Sequence, residues 1–475
     1  MMSRTLRTAA IPLAISSLGM ATGACQPDTP GEPAYRQAAA TEEEFRLRSD
    51  VEAALPARAD AFAADPTDED ARHAYADILF KLGNMWQADE VIAPLADPSS
   101  SNVDDLQLAA RLAYLLGDYT RAETLYDRLM DLTEAGSEAH ADATRGLTLT
   151  WYQTNQFARA SELPAPEDSE GASSLLTYMQ AFEGEPYGVE WATDERISHL
   201  PMTNDITQPG ALPIVDLEVN GQTVSLILDT GGDRLYLDKG IYESLGLTTL
   251  THREARYAYT GGATVEEPLG VAEAVTLGDV TLTNVPVVGA TWKEIGQTSD
   301  GVLTTQLLKQ FLSTMDYDNR RITLRERTPG ALAEVMATFG GTPPLEAPFY
   351  MTTTHLMFAK GDLNGNEINY FMDSGLAMSM PMIVVDETVE LLGLETNDIE
   401  GTPYYWTAIE SHGLNGLVKG ATQAMGNVFV EQDFFWQSGF MADALMSHQY
   451  LWPLGSWTID FDNMTYYFPA PESEE

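Results

Sequence analysis

Asn220-Gly221-Gln222-Thr223-Val224-Ser225-Leu226-Ile227-Leu228-Asp229-Thr230-Gly231 reads as a hairpin turn and a return strand that ends on an acid. Asn-Gly supplies the two positive φ angles of a tight hairpin turn. The stretch before it, Pro213 to Val219, alternates apolar and polar residues as a half-buried strand does. The same reading recurs further on, where Asn364-Gly365 leads into Asp373-Ser374-Gly375. The two Asn-Gly pairs lie 144 residues apart, and so do the two aspartates. Thr314-Met315-Asp316-Tyr317-Asp318-Asn319 and Thr458-Ile459-Asp460-Phe461-Asp462-Asn463 keep the same offset. A lone Asp-(Thr/Ser)-Gly is ordinary turn chemistry at a strand end and arises by chance. Two in register describe two copies of one domain, each contributing one candidate acid.

Each copy carries further elements in order. After the first triplet come Tyr257-Ala258-Tyr259-Thr260-Gly261-Gly262, then Asp300-Gly301-Val302-Leu303, then an apolar run to Phe311 and the closing strand. The second offers Tyr404-Tyr405-Trp406 through Gly413, then Gly439-Phe440-Met441, then its own closing strand. This resembles the retropepsin-like aspartic proteases. In that family one lobe is half an enzyme, so two lobes in one chain imply an intramolecular pseudo-dimer. The resemblance implies that Asp229 and Asp373 are catalytic. It gives Thr230 and Ser374 the role of hydroxyls bracing the active loops, with Gly231 and Gly375 leaving room for the backbone. Tyr257 or Tyr259 would cover bound peptide, with Gly261 and Gly262 letting the flap tip bend. Leu376 replaces a small residue and is expected to crowd the second loop. The elements supporting each loop, taken as those at Leu303 and Met441, are imperfect.

The chemistry fits a pair of acids. Two carboxylates about 3 Å apart cannot both ionise, so they share one proton and activate a water between them. No cofactor and no metal is expected, since the seven His residues are scattered and no metalloprotease or phosphate-loop motif occurs. His355 and His448 read as surface or packing residues.

Upstream, helical periodicity runs to about residue 165. Leu82-Gly83-Asn84-Met85-Trp86-Gln87-Ala88 recurs as Leu116-Gly117-Asp118-Tyr119-Thr120-Arg121-Ala122, 34 residues on. Asn155-Gln156-Phe157-Ala158-Arg159-Ala160 is a degenerate third copy. This resembles the tetratricopeptide repeat, whose stacked helix pairs offer a face to a protein partner.

The N-terminus has Arg4 and Arg7, an apolar run from Ala9 to Ala21 too short to span a bilayer, then small residues and Cys25. Cys25 is the only cysteine in the chain. The pattern resembles a bacterial lipoprotein signal with Cys25 as the lipidated residue. A net charge of −45 disfavours nucleic acid and anionic lipid as partners. Membrane attachment is therefore expected through the lipid only.

The expected organisation is multidomain α + β. It comprises a signal peptide (1–24), a tether (25–45), a tetratricopeptide-like helical domain (46–165) and a linker with a possible helix (166–208). Two mostly-β acid-protease-fold lobes (209–328 and 340–470) follow, joined by a helix (329–339). The expected function is that of an exported aspartic endopeptidase, anchored in the cell envelope and facing the periplasm, with the outer membrane favoured. A peptide or protein is its substrate. The alternative is a non-catalytic peptide-binding or scaffold lipoprotein, in which the repeats do the biological work.

Overall fold

The computed structural model describes residues 16–17, 48–97, 99–165, 172–208, 210–256, 264–293, 298–399, 404–427 and 439–470. Among the described residues, seven α-helices precede the main β region: α1 (Arg48–Ala64), α2 (Glu69–Lys81), α3 (Met85–Ile92), α4 (Val103–Leu115), α5 (Tyr119–Leu132), α6 (Glu138–Gln153) and α7 (Ala172–Ala181). Local chemistry starts several of them. Asp68, Asn102, Asp118 and Ser137 each accept a backbone N–H of the first turn, which satisfies donors the helix leaves open. Gly83 (φ 73°) and Gly117 (φ 80°) reverse the chain in the left-handed region that favours glycine. Asn155 takes the equivalent place at φ 59°. The small residues of the period, Ala88, Ala122 and Ala160, are fully buried. Among the described residues no helix is long and apolar enough to cross a membrane.

The rest is mostly β, and strands begin earlier than the pattern read from Pro209. Gly188–Trp191 pairs with Val280–Ala290, and Ile197–Pro201 pairs with Arg321–Arg325. Both strands lie in the stretch read as linker. They are short, and each gains its regularity from a neighbouring strand rather than from its own residues.

The two Asn-Gly turns are as expected, with φ of 49° and 79° at Asn220-Gly221 and 53° and 79° at Asn364-Gly365. In the first lobe Gln222–Asp229 runs parallel to Gly301–Thr304, which lies antiparallel to Leu235–Asp238. The chain thus leaves Asp229, loops past a strand that comes from elsewhere, and returns on its far side. The second lobe repeats this arrangement. Asn366–Met372 runs parallel to Ala444–Met446, which lies antiparallel to Met382–Val384. This corrects the reading of the second supporting element. It is Ala444–Met446, not Gly439-Phe440-Met441, because only the former continues the sheet beside the strand that carries Asp373.

Six antiparallel strands join the lobes, in the order Leu345–Thr352, Thr465–Phe468, Ser456–Asp460, Leu312–Asp316, Arg321–Arg325, Ile197–Pro201. At their centre Thr314 pairs with Thr458, its equivalent at the 144-residue offset, and the two hydroxyls lie 2.8 Å apart. A residue that pairs with its own equivalent lies on a local two-fold axis. The helix Pro329–Thr338 lies between the two lobes in sequence.

Candidate active site

The local two-fold passes through a second pair. The Thr230 N–H donates to Ser374 Oγ at 3.0 Å, and the Ser374 N–H donates to Thr230 Oγ1 at 3.0 Å. Thr230 Oγ1–H in turn donates to the Met372 carbonyl at 3.1 Å. Each triplet's hydroxyl therefore fixes the backbone of the other, and the two loops cannot shift independently. Within each loop the glycine N–H turns back to its own acid: Gly231 to Asp229 Oδ1 at 2.6 Å and Gly375 to Asp373 Oδ1 at 2.8 Å. The crowding expected from Leu376 is absent. It is buried among apolar residues, and its loop keeps the cross-lobe and glycine-to-acid N–H bonds of the first.

This arrangement brings Asp229 and Asp373 together, 1% and 0% exposed, with their carboxyls close enough to share a proton. Gly375 is required by this approach, since a Cβ there would overlap the Asp229 carboxyl. Burial pushes Asp229 up to about 6. Burial raises Asp373 further, and the neighbouring Asp229 charge adds to it. Among the described residues no N–H or O–H donor reaches Asp373 Oδ2. The consistent protonation state is a neutral Asp373 donating its own proton to an ionised Asp229.

Behind the first loop lies a buried charged group that the sequence reading did not single out. Asp233 pairs with Arg234 at 2.9 Å and accepts from Tyr236 Oη. Arg253 reaches Glu267 at 2.9 Å and Tyr236 Oη at 3.2 Å. Burial would raise Asp233, but the charges of Arg234 and Arg253 outweigh it and hold this carboxyl below the ordinary range. His355 comes from the second lobe, where its Nδ1 lies 2.9 Å from Thr354 Oγ1, and its ring faces the Gly231 backbone. Burial pulls it down to about 4, with Arg234 and Arg253 adding to the effect against Asp233. It is a packing residue, as read, but one that packs on the active loop. The available signal was Asp233-Arg234 itself, two charges placed directly after Gly232 at the start of an apolar strand.

Gly232 faces Thr304, whose methyl would lie 2.5 Å from a Cβ added there. Thr305 Oγ1 donates to the Thr230 carbonyl at 2.6 Å. The imperfect support at Thr304-Thr305 thus still holds the first loop. Tyr257, Tyr259, Gly261, Gly262 and Cys25 lie outside the described residues. Among the described residues no group of three or more His, Cys, Asp or Glu side chains could hold a metal ion. Backbone of Ser16–Ser17 pairs antiparallel with Leu376–Ala377, directly after the second triplet.

Residues 215–307 match the family model described as aspartyl protease. The first lobe is therefore aspartyl-protease-like. The curated proteins give no significant match. Solved structures do. Basic 7S globulin from soybean is 12% identical, covers 58% of this chain and 95% of its own, and superposes with a TM-score of 0.36. Conglutin gamma, a basic 7S globulin from lupine seeds, is 11% identical over 58% of this chain and 96% of its own, TM-score 0.36. A retropepsin-like aspartic protease from Rickettsia conorii is 15% identical over 30% of this chain and 94% of its own, TM-score 0.21.

Proposed function

We propose that the chain is an aspartic peptidase whose two acids, Asp229 and Asp373, hydrolyse peptide bonds with one activated water. The observation that carries this is the reciprocal hydrogen bonding of Thr230 and Ser374, which holds two buried carboxyls in contact. In this reading ionised Asp229 takes a proton from the water while Asp373 donates its own to the scissile carbonyl oxygen. The water oxygen bonds to the carbonyl carbon. The resulting tetrahedral species breaks its C–N bond as the nitrogen gains a proton from Asp229 and a hydroxyl of that species returns one to Asp373, which restores the dyad. No covalent enzyme intermediate forms. The family match over residues 215–307 supports a peptide or protein substrate.

The proposal extends to location. Cys25 carries lipid after removal of residues 1–24, and the protein faces the periplasm from the outer membrane. The tetratricopeptide-like character of the helical domain belongs to the same proposal. The deciding experiment is cleavage of a broad peptide pool by purified protein, beside Asp229→Asn and Asp373→Asn. Loss of cleavage in both supports the dyad. Cleavage that survives both assigns the chemistry elsewhere. No cleavage by folded wild type across pH favours the non-catalytic binding module.

A further inference from the structure

The helical domain lies against the lobes, and it does so unequally. Residues two apart on a strand share a face, so Asn369 and Phe371 lie on the face that leads to Asp373. Phe358 and Lys360 stand opposite them on the neighbouring strand. Helix α2 ends on this face. Lys360 Nζ and Asn369 Nδ2 each donate to the Leu82 carbonyl at 3.0 Å, and the Met441 N–H donates to the Lys81 carbonyl at 2.9 Å. Aromatic rings continue the contact from Phe371 through Phe358 (5.5 Å) and Phe440 (5.1 Å) to Phe80 of α2 (6.1 Å). The end of α6 covers the other lobe's active loop. Tyr152 Oη donates to the Asp233 carbonyl at 3.1 Å, while the adjacent Gln153 Nε2 donates to the Thr354 carbonyl of the second lobe at 2.9 Å. The Arg234 guanidinium lies over the rings of Tyr152 (5.5 Å) and Tyr178 (5.4 Å).

Most of these covered residues have an equivalent 144 positions away where the surface differs, although Phe371 and its equivalent Ile227 are both buried in the same apolar cluster. Lys360 and Asn369 correspond to Asp216, which is exposed, and Ser225, which is half-buried. Those two hydrogen-bond each other at 2.6 Å. Phe358 corresponds to the half-buried Ile214. Asp233 corresponds to Ala377, which instead receives a strand of backbone from Ser16. The two-fold that relates the lobes runs between the acids. A domain that covers one member of such a pair and not the other makes the two sides of the acids unequal.

We infer that the helical domain closes one end of the substrate cleft, so that the enzyme accepts an extended chain on one side of the scissile bond and only a short stub on the other. The substrate class is peptide termini rather than the interior of long chains. This rests on the peptidase reading above. The open side is the edge at Leu376–Ala377, which accepts an antiparallel strand and is vacated once residues 1–24 are removed.

The test uses the full-length processed protein and a peptide mimic carrying a hydroxyl in place of the scissile carbonyl, lengthened one residue at a time in each direction. Binding is read by calorimetry. Lengthening on one side keeps or improves affinity, whereas a few added residues on the other weaken it roughly tenfold or more. Equal tolerance of both extensions overturns the inference and leaves the peptidase reading standing. A second measurement compares one cleavable sequence as a linear and as a head-to-tail cyclic peptide. The linear form is cut close to one terminus, and the cyclic form is cut at least roughly a hundredfold more slowly. Equal rates count against the closed end. If no mimic binds and no linear peptide is cut, the peptidase reading fails and takes this inference with it.

Discussion

Asp229 and Asp373 are placed so that one proton serves two carboxyls, and that has consequences for rate and for stability. Asp229→Asn and Asp373→Asn should each lower kcat/KM by about a thousandfold or more, with the double variant little worse, because the two groups act as a unit. Rate plotted against pH should be bell-shaped. It rises as Asp229 ionises near pH 6 and falls once Asp373, raised further, loses its proton. A carboxyl whose folded pKa lies above its unfolded value binds its proton more tightly when folded. It therefore withdraws stability as pH rises from about 4 to about 6, and the loss persists above that. Asp229→Asn removes this loss. The variant should be more stable than wild type above pH 6, by up to roughly 3 kcal/mol, with the gap closing toward pH 4. A thermal-unfolding series over pH 4–8 reads it directly. A variant less stable than wild type at pH 8 would argue that the dyad is not held under the strain its burial implies.

At the scale of elements, the hairpins and triplets were legible because their signals are local. Asn-Gly fixes a turn, alternation fixes a face, and a common offset fixes equivalence. Ala444–Met446 was not legible. Three residues show no period, and this strand exists only because the parallel neighbour ending at Met372 supplies its partner. Ile197–Pro201 was missed for the same reason. The turn glycines were read correctly as chain reversals, but their second role depends on distant residues. A Cβ on Gly83 would overlap the Asn369 amide, and one on Gly117 would lie 2.8 Å from Met464 Cγ. Both sites also have positive φ, so Gly83→Ala and Gly117→Ala should each cost more than the roughly 1 kcal/mol of a compatible glycine replacement. Denaturant unfolding measures the cost. The cross-lobe brace is open to a similar check. Thr230→Val leaves the buried Ser374 N–H without its acceptor, a penalty of about 1–3 kcal/mol. It should also lower kcat more than it raises KM, because it loosens the acids rather than the binding surface.

The whole molecule combines a net charge of −45 with a helical domain that grips both lobes. Nothing in so acidic a surface favours an anionic bilayer, so the proposed attachment would depend on lipid at Cys25. Cys25→Ser should move the protein from the membrane to the soluble fraction, and metabolic labelling with a fatty-acid analogue should mark only the wild type. The grip of the helices on the second lobe has its own ionic anchor. Arg48, at the start of α1, pairs with Asp443 and donates to the Glu367 carbonyl at 2.8 Å. Asp443 is fully engaged, since its other oxygen accepts the Asn369 N–H at 2.7 Å. That same Asn369 reaches the end of α2, so the pair and the aromatic contact share one support. Arg48→Met leaves the buried carboxylate without its cation and should cost about 3–5 kcal/mol, the usual penalty for breaking such a pair from one side. Asp443→Asn keeps an acceptor for Asn369 and removes the charge, so the double variant should recover most of the loss. A double-mutant cycle by urea unfolding separates the two cases. Strictly additive losses would mean that Arg48 and Asp443 act independently, and that the aromatic and hydrogen-bonded contacts of α2 and α6 hold the helical domain without them.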